Sequence, residues 1–179
     1  RDGLPDRDIH TVDLGDGQRA VHVVTLYDRT CVITDVGALK CSSWGKPQNV
    51  YLGAGRTVVS IALSYGHSCA LLDDDSIKCW GSNHYGQLGV GDQDGRSVGD
   101  ALAVVDLGSN VVATAVAVGF DHSCALLDTG GVKCWGRNDN GQLGYGDTKE
   151  RGDQAGEMGD NLPVVDLGTS LLDFPPAEL

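Results

Sequence analysis

HSCALLDDDSIKCWGSNHYGQLGVGD, residues 67–92, returns 55 residues later as HSCALLDTGGVKCWGRNDNGQLGYGD, residues 122–147, with no gap between the copies. A fainter copy, TCVITDVGALKCSSWGKPQNVYLGAG, precedes both at residues 30–55. A fixed period of this length marks a repeat protein, in which each unit is one supersecondary element that buries its apolar surface against the next.

Each copy holds two cysteines ten residues apart: Cys31 and Cys41, Cys69 and Cys79, Cys124 and Cys134. Each pair brackets a short polar turn, such as Asp73-Asp74-Asp75-Ser76. A hairpin centred on that turn sets the two cysteines directly opposite, within reach of a disulfide. Three bridges, paired 31–41, 69–79 and 124–134, are the reading this spacing favours. Buried free thiols are the plain alternative, since cysteine packs as a small hydrophobe. Metal ligation is disfavoured, because paired zinc ligands usually sit about two to four residues apart. Bridges would place the chain in an oxidising compartment, extracellular or at the cell surface.

Outward from the hairpin, a strand with two unlike faces is expected before each copy. Val59, Ile61, Leu63 and Tyr65 would share one face, and Ser60, Ala62 and Ser64 the other. Tyr27, Tyr65 and Phe120 recur at one register. Trp44, Trp80 and Trp135 read as blade core, and Leu88 and Leu143 as anchors that pin the Gly-rich turn to it. After the turn, VDLG at 105–108 and 165–168 reads as a short edge strand. The first unit departs from this pattern. Ser42 and Ser43 are inserted before Trp44, Arg29 stands for the histidine, and Arg56 for the aspartate.

The 179-residue chain is 41% hydrophobic and 21% charged, with 26 glycines, as suits short strands and tight turns. Its formal net charge of −12 opposes nonspecific contact with nucleic acid or an anionic membrane surface. No apolar run is long enough for a membrane-spanning helix, so membrane insertion is not expected. The absence of an initiator Met leads us to expect a processed product or a piece of something longer.

One unit therefore reads as about four short antiparallel strands, which is a propeller blade. HSCALL, KCWG, NxxGQLG and GD together resemble the repeat of the regulator of chromosome condensation family. The resemblance is specific in units two and three and weaker in unit one. It implies an all-β chain of about three four-stranded antiparallel blades, a partial propeller or a fragment of a seven-bladed one. The CWG and MGDxLPxVDLG motifs look like a secreted or surface-type branch. The expected layout is a repeat region over 1–170, with units at about 10–55, 56–108 and 109–168, and a tail or linker over 169–179. Seven blades would need roughly 350–400 residues, so an isolated arc would expose strand edges open to self-association.

The chemistry-bearing residues read mostly as scaffold. His67-Ser68-Cys69 and His122-Ser123-Cys124 place serine on the opposite strand face from its neighbours, and the duplication argues against a catalytic site. A structural histidine bonding a neighbouring blade is expected, and no enzyme activity. Asp92 and Asp94 echo the start of a calcium loop, a weak candidate, because no bidentate glutamate follows; no other metal or cofactor is expected. Partner recognition is expected on two unequal loops. Asp92, Asp94 and Arg96 lie on the first, over 91–100. Lys149, Glu150, Arg151 and Glu157 lie on the second, over 148–160, which should project from one end of the blade. Partners would be proteins, met through these end loops or the blade edges. The readings weighed were a protein-interaction module, a structural part of an extracellular assembly, and an intracellular regulator of a small GTPase of the exchange-factor kind.

Overall fold

The computed structural model describes residues 14, 17–43, 48–99 and 101–168. Three antiparallel sheets follow one another along the chain. The first holds β1 (Ala20–Leu26), β2 (Arg29–Thr34), β3 (Leu39–Ser43) and β4 (Gln48–Val50), in that order. The second holds β5 (Val58–Leu63), β6 (His67–Leu72) and β7 (Ile77–Gly81). The third holds β8 (Ala113–Val118), β9 (His122–Leu127) and β10 (Val132–Gly136). These are blades of a β-propeller. A single short 3-10 turn, Gly159–Asn161, is the one helical element among the described residues.

The cysteine register fixes each hairpin. Cys31 faces Cys41, Cys69 faces Cys79, and Cys124 faces Cys134, each pair disulfide-bonded with Cα atoms 4.1 Å apart. The turns between them use a left-handed residue at one repeated position: Gly37 (φ 72°), Asp75 (φ 63°) and Gly130 (φ 82°). Glycine adopts that conformation without steric cost, and aspartate tolerates it.

The first strand of every blade carries a β-bulge that the alternation of residue sizes does not reveal. Pairing shifts between Ala20 and His22, between Val58 and Ser60, and between Ala113 and Ala115. The extra residue resets the inward face. Val58 and Ile61 are therefore buried, whereas Val59 is 50% and Tyr65 70% exposed. This corrects the expectation that Val59, Ile61, Leu63 and Tyr65 share one packed face.

The fourth strand also differs between blades. Among the described residues only the first blade forms it, where β4 pairs with β3. In the others the corresponding segments lie beside the sheet on isolated bridges, Gly81 to Arg96 and Gly136 to Arg151. Val105 N and Val165 N then donate to Ile77 O and Val132 O, at 2.9 and 2.7 Å. The VDLG runs are thus tethered edges without strand ladders.

The core lies between blades. Cys31, Ile33, Leu39, Leu52 and Val58 pack with Ile61, Ala70, Leu72 and Leu102. On the other face of the second sheet, Cys69, Leu71, Ile77 and Cys79 pack with Ala113, Ala125, Leu127 and Trp135. Trp135 is fully buried, but Trp80 is only partly so. The difference follows from the preceding blade. Trp135 lies against the Gly-rich turn of the second blade, donating Nε1–H to Gln87 O at 3.0 Å. The first blade spends that stretch on β4, and a cleft of about 380 Å³ opens beside Trp80. Trp44 falls outside the described residues, as does the 169–179 tail. Leu52, Leu88 and Leu143 are all buried, so the anchor holds in every unit.

Candidate interaction surface

The HSC triplets join blades. Ser123 Oγ donates to Gln87 O at 2.8 Å, so its lone pairs receive the Nε2–H of His67 at 2.9 Å. His67 Nδ1 is left unprotonated and buried, with no hydrogen-bond partner among the described residues. Burial, then the nearby His122, pushes His67 down to about 4. One blade earlier, Arg29 takes the histidine's place, and its Nη1 donates to Ser68 Oγ at 3.2 Å. The expected histidine bond to a neighbouring blade is present, to a hydroxyl and not to backbone. The Ser123 hydrogen is committed to a backbone carbonyl and so serves to join the blades.

The Gly-rich turns are built around a buried asparagine. Asn83 Oδ1 accepts from Leu88 N, and its Nδ2 donates to Asp92 O. Asn138 does the same with Leu143 N and Asp147 O, and also reaches Lys149 O. Both asparagines are at most 1% exposed. In the sequence both stand as the first residue of NxxGQLG, and Asn138 opens an oxygen-rich run, Asn138-Asp139-Asn140-Gly141, that echoes a calcium loop; the role as buried hub of the turn comes from the structure, although their place five residues before the anchoring leucine repeats. Lys133, too, takes its role from the structure. It is buried, and its Nζ donates to Leu107 O and Gly159 O.

Within the candidate loops, Arg96 pairs with Asp92, and Arg151 with Asp147 at 2.8 Å. Arg151 also lies over the Tyr145 ring, 5.4 Å from its centre. The hydrogen bond from Arg151 holds the Asp147 carboxyl below its usual range. Asp92, in the stretch that is a weak calcium candidate, further accepts from Asp94 N. No group of three potential metal ligands occurs among the described residues. The Glu157 carboxylate accepts from Gly152 N and Gln154 N, while burial raises its pKa. Burial also raises that of Glu150. Lys149 and Asp94 are exposed.

The longer loop does not project, contrary to the sequence expectation. It lies along the second blade, where Gly152 O accepts from Gly91 N and Gly159 N donates to Asp106 O. Asp160 receives both Ser109 N and Ser109 Oγ, at 2.7 and 2.9 Å. Contact is close because Gly86 has no side chain; a Cβ there would stand 2.3 Å from Asp153 N. Met158 and Leu162 bury themselves in the same seam. The wedge fills the space between neighbouring Gly-rich turns, so much of the loop is spent on blade docking.

The aromatics of the repeated register come together at the surface. Tyr27 meets Tyr65 edge-on at 5.9 Å, and Tyr65 stacks on Phe120 at 6.4 Å with planes 4° apart. Their exposures are 86%, 70% and 66%. Each sits in the turn between the first two strands of its blade. Ser64 Oγ donates to Phe120 O at 2.8 Å, tying the second turn to the third.

The regulator of chromosome condensation (RCC1) repeat model matches residues 58–87 and 113–142. The chain is 40% identical over 72 residues to human probable E3 ubiquitin-protein ligase HERC4. It is 41% identical over 71 residues to the mouse X-linked retinitis pigmentosa GTPase regulator. Each match takes in 40% of this chain but only 7% of the relative. Among solved structures, human WBSCR16 superposes with a TM-score of 0.66 at 23% identity, over 80% of this chain and 38% of that one. Hairpin register, the Asn-anchored turn and the inter-blade serine all repeat at the matched positions, so the likeness to the RCC1 repeat rests on these two stretches of the chain.

Proposed function

We propose that this chain is an arc of an RCC1-type propeller that serves as a non-enzymatic protein-interaction module in an oxidising setting, extracellular or at a cell surface. The observation that carries the compartment is the set of three bridges, one in each blade, all at the same register. Structural disulfides persist where the surroundings are oxidising and are rare in the cytosol. The CWG and MGDxLPxVDLG motifs of a surface-type branch agree with it. The interaction role draws on the relatives, whose names describe a ubiquitin-protein ligase and a GTPase regulator, both of which act on proteins. The exposed parts of the end loops, Lys149 and Asp94, are available for such contact. A structural role in an extracellular assembly fits the same features.

A second reading, an intracellular regulator of a small GTPase, is favoured by the match to a GTPase regulator. Alkylation mass spectrometry of freshly isolated protein, denatured without reductant, separates the two. The extracellular reading expects no alkyl groups before reduction and six after it, one for each cysteine. Six groups without reduction would remove the compartment argument and leave the intracellular reading standing.

A further inference from the structure

We infer that the row Tyr27–Tyr65–Phe120 is a docking platform for an arginine-bearing segment of a partner protein, a proposal that rests on the interaction reading above. Three features point to it. First, the rings are contiguous across all three blades, and each is well exposed, Phe120 the least at 66%. Isolated surface aromatics need no explanation, but a contiguous exposed row marks a contact site. Second, Tyr27 holds a left-handed backbone, φ 51°, which is unfavourable for a bulky side chain. The turn keeps this ring outward and spends nothing of it on the core.

Third, the charges favour a cation. The chain carries 25 acidic and 13 basic residues. Tyr27 and Phe120 are each followed directly by an aspartate, Asp28 and Asp121. Asp121 already faces Arg137 at 3.4 Å, while Asp28 forms no ion pair among the described residues. Elsewhere this chain shows what its tyrosines accept. Arg137 lies 4.9 Å over the Tyr85 ring, and Arg151 covers Tyr145. No arginine of the described residues lies over the three rings of the row. A guanidinium supplied by a partner would complete the same pairing, since it stacks on ring faces and is weakly hydrated. A second copy of this chain is the poorer occupant, because both copies would bring a formal charge of −12.

The test is titration of the whole chain with an arginine nonapeptide at about 0.15 M salt, followed by ring-proton NMR shifts. The lysine nonapeptide and a neutral oligosaccharide serve as comparisons. Because the rings are exposed, alanine replacements leave folding intact, which circular dichroism checks. The proposal expects tighter binding of the arginine peptide than of the lysine peptide, and a loss of about tenfold in Tyr27→Ala/Tyr65→Ala/Phe120→Ala. Tyr65→Phe should bind as the parent does. Equal binding of both peptides, unmoved by ring removal, would mean charge alone and overturn the platform. Preference for the oligosaccharide, or concentration-dependent sedimentation abolished by the triple variant, would overturn the partner assigned. Arginine-peptide binding that is lost in Asp94→Ala and kept in the triple variant would overturn this site while sparing the module reading.

Discussion

His67 and His122 begin strands of identical sequence but hold different environments. His67 is 1% exposed and donates to Ser123, whereas His122 is half-buried beside Asp121. Burial lowers both pKa values, that of His67 to about 4. The unfolded chain titrates near the ordinary histidine value of about 6.5. Between those limits the unfolded state holds a proton that the folded state refuses. Stability is therefore undiminished by His67 above about pH 6.5 and falls toward pH 4, with a slope approaching 1.4 kcal/mol per pH unit. His122 acts in the same direction. Denaturant melts at about pH 7.5 and about pH 5 should show the loss. His67→Gln keeps an N–H for Ser123 and removes the titration, so its melts should converge between the two pH values. An unaltered slope in that variant would move the acid sensitivity to other groups.

At the scale of elements, HSCALL shows how neighbours overrule local sequence. In β6 all six residues are buried, because the sheet is covered on both faces. In β9 the same six residues alternate in burial. The turn that follows is more self-contained, and its asparagine does the same work in both copies. Asn138→Ala would leave the buried Leu143 N–H without a partner and free Asp147 O and Lys149 O. The expected cost is about 1–3 kcal/mol, read as a lowered denaturant midpoint. Asp139→Ala removes an exposed ion pair with Arg137 from the same turn and should cost less. The hairpins, their cysteine register and the leucine anchors were legible because each rests on contacts within one unit, where spacing dictates geometry. The bulge after Val58 was not, since only pairing with β6 reveals the extra residue. Nor was the folding-back of residues 148–160, which depends on Gly86 and Asp106 of another blade. The aromatic register could be read from Tyr27, Tyr65 and Phe120. Their mutual stacking could not, because it depends on how blades sit side by side.

For the whole molecule, the second blade is the shared element. Its Leu72 face packs on the first blade and its Leu71 face on the third. In such arrays stability is close to a sum of unit terms and nearest-neighbour interfaces. Each bridge closes a short loop and should contribute on the order of 2–3 kcal/mol, but where that loss spreads depends on the blade. Cys69→Ala/Cys79→Ala loosens the sheet that both interfaces need. Cys31→Ala/Cys41→Ala loosens one that has a single described neighbour. Amide exchange measured blade by blade should show this asymmetry. The first pair of substitutions is expected to raise exchange in β2, β6 and β9 together. The second should raise it in β2 most, in β6 less, and leave β9 near its parent rate. Equal, global acceleration by both would mean that the three blades unfold as one cooperative unit, and the nearest-neighbour account of this arc would fail.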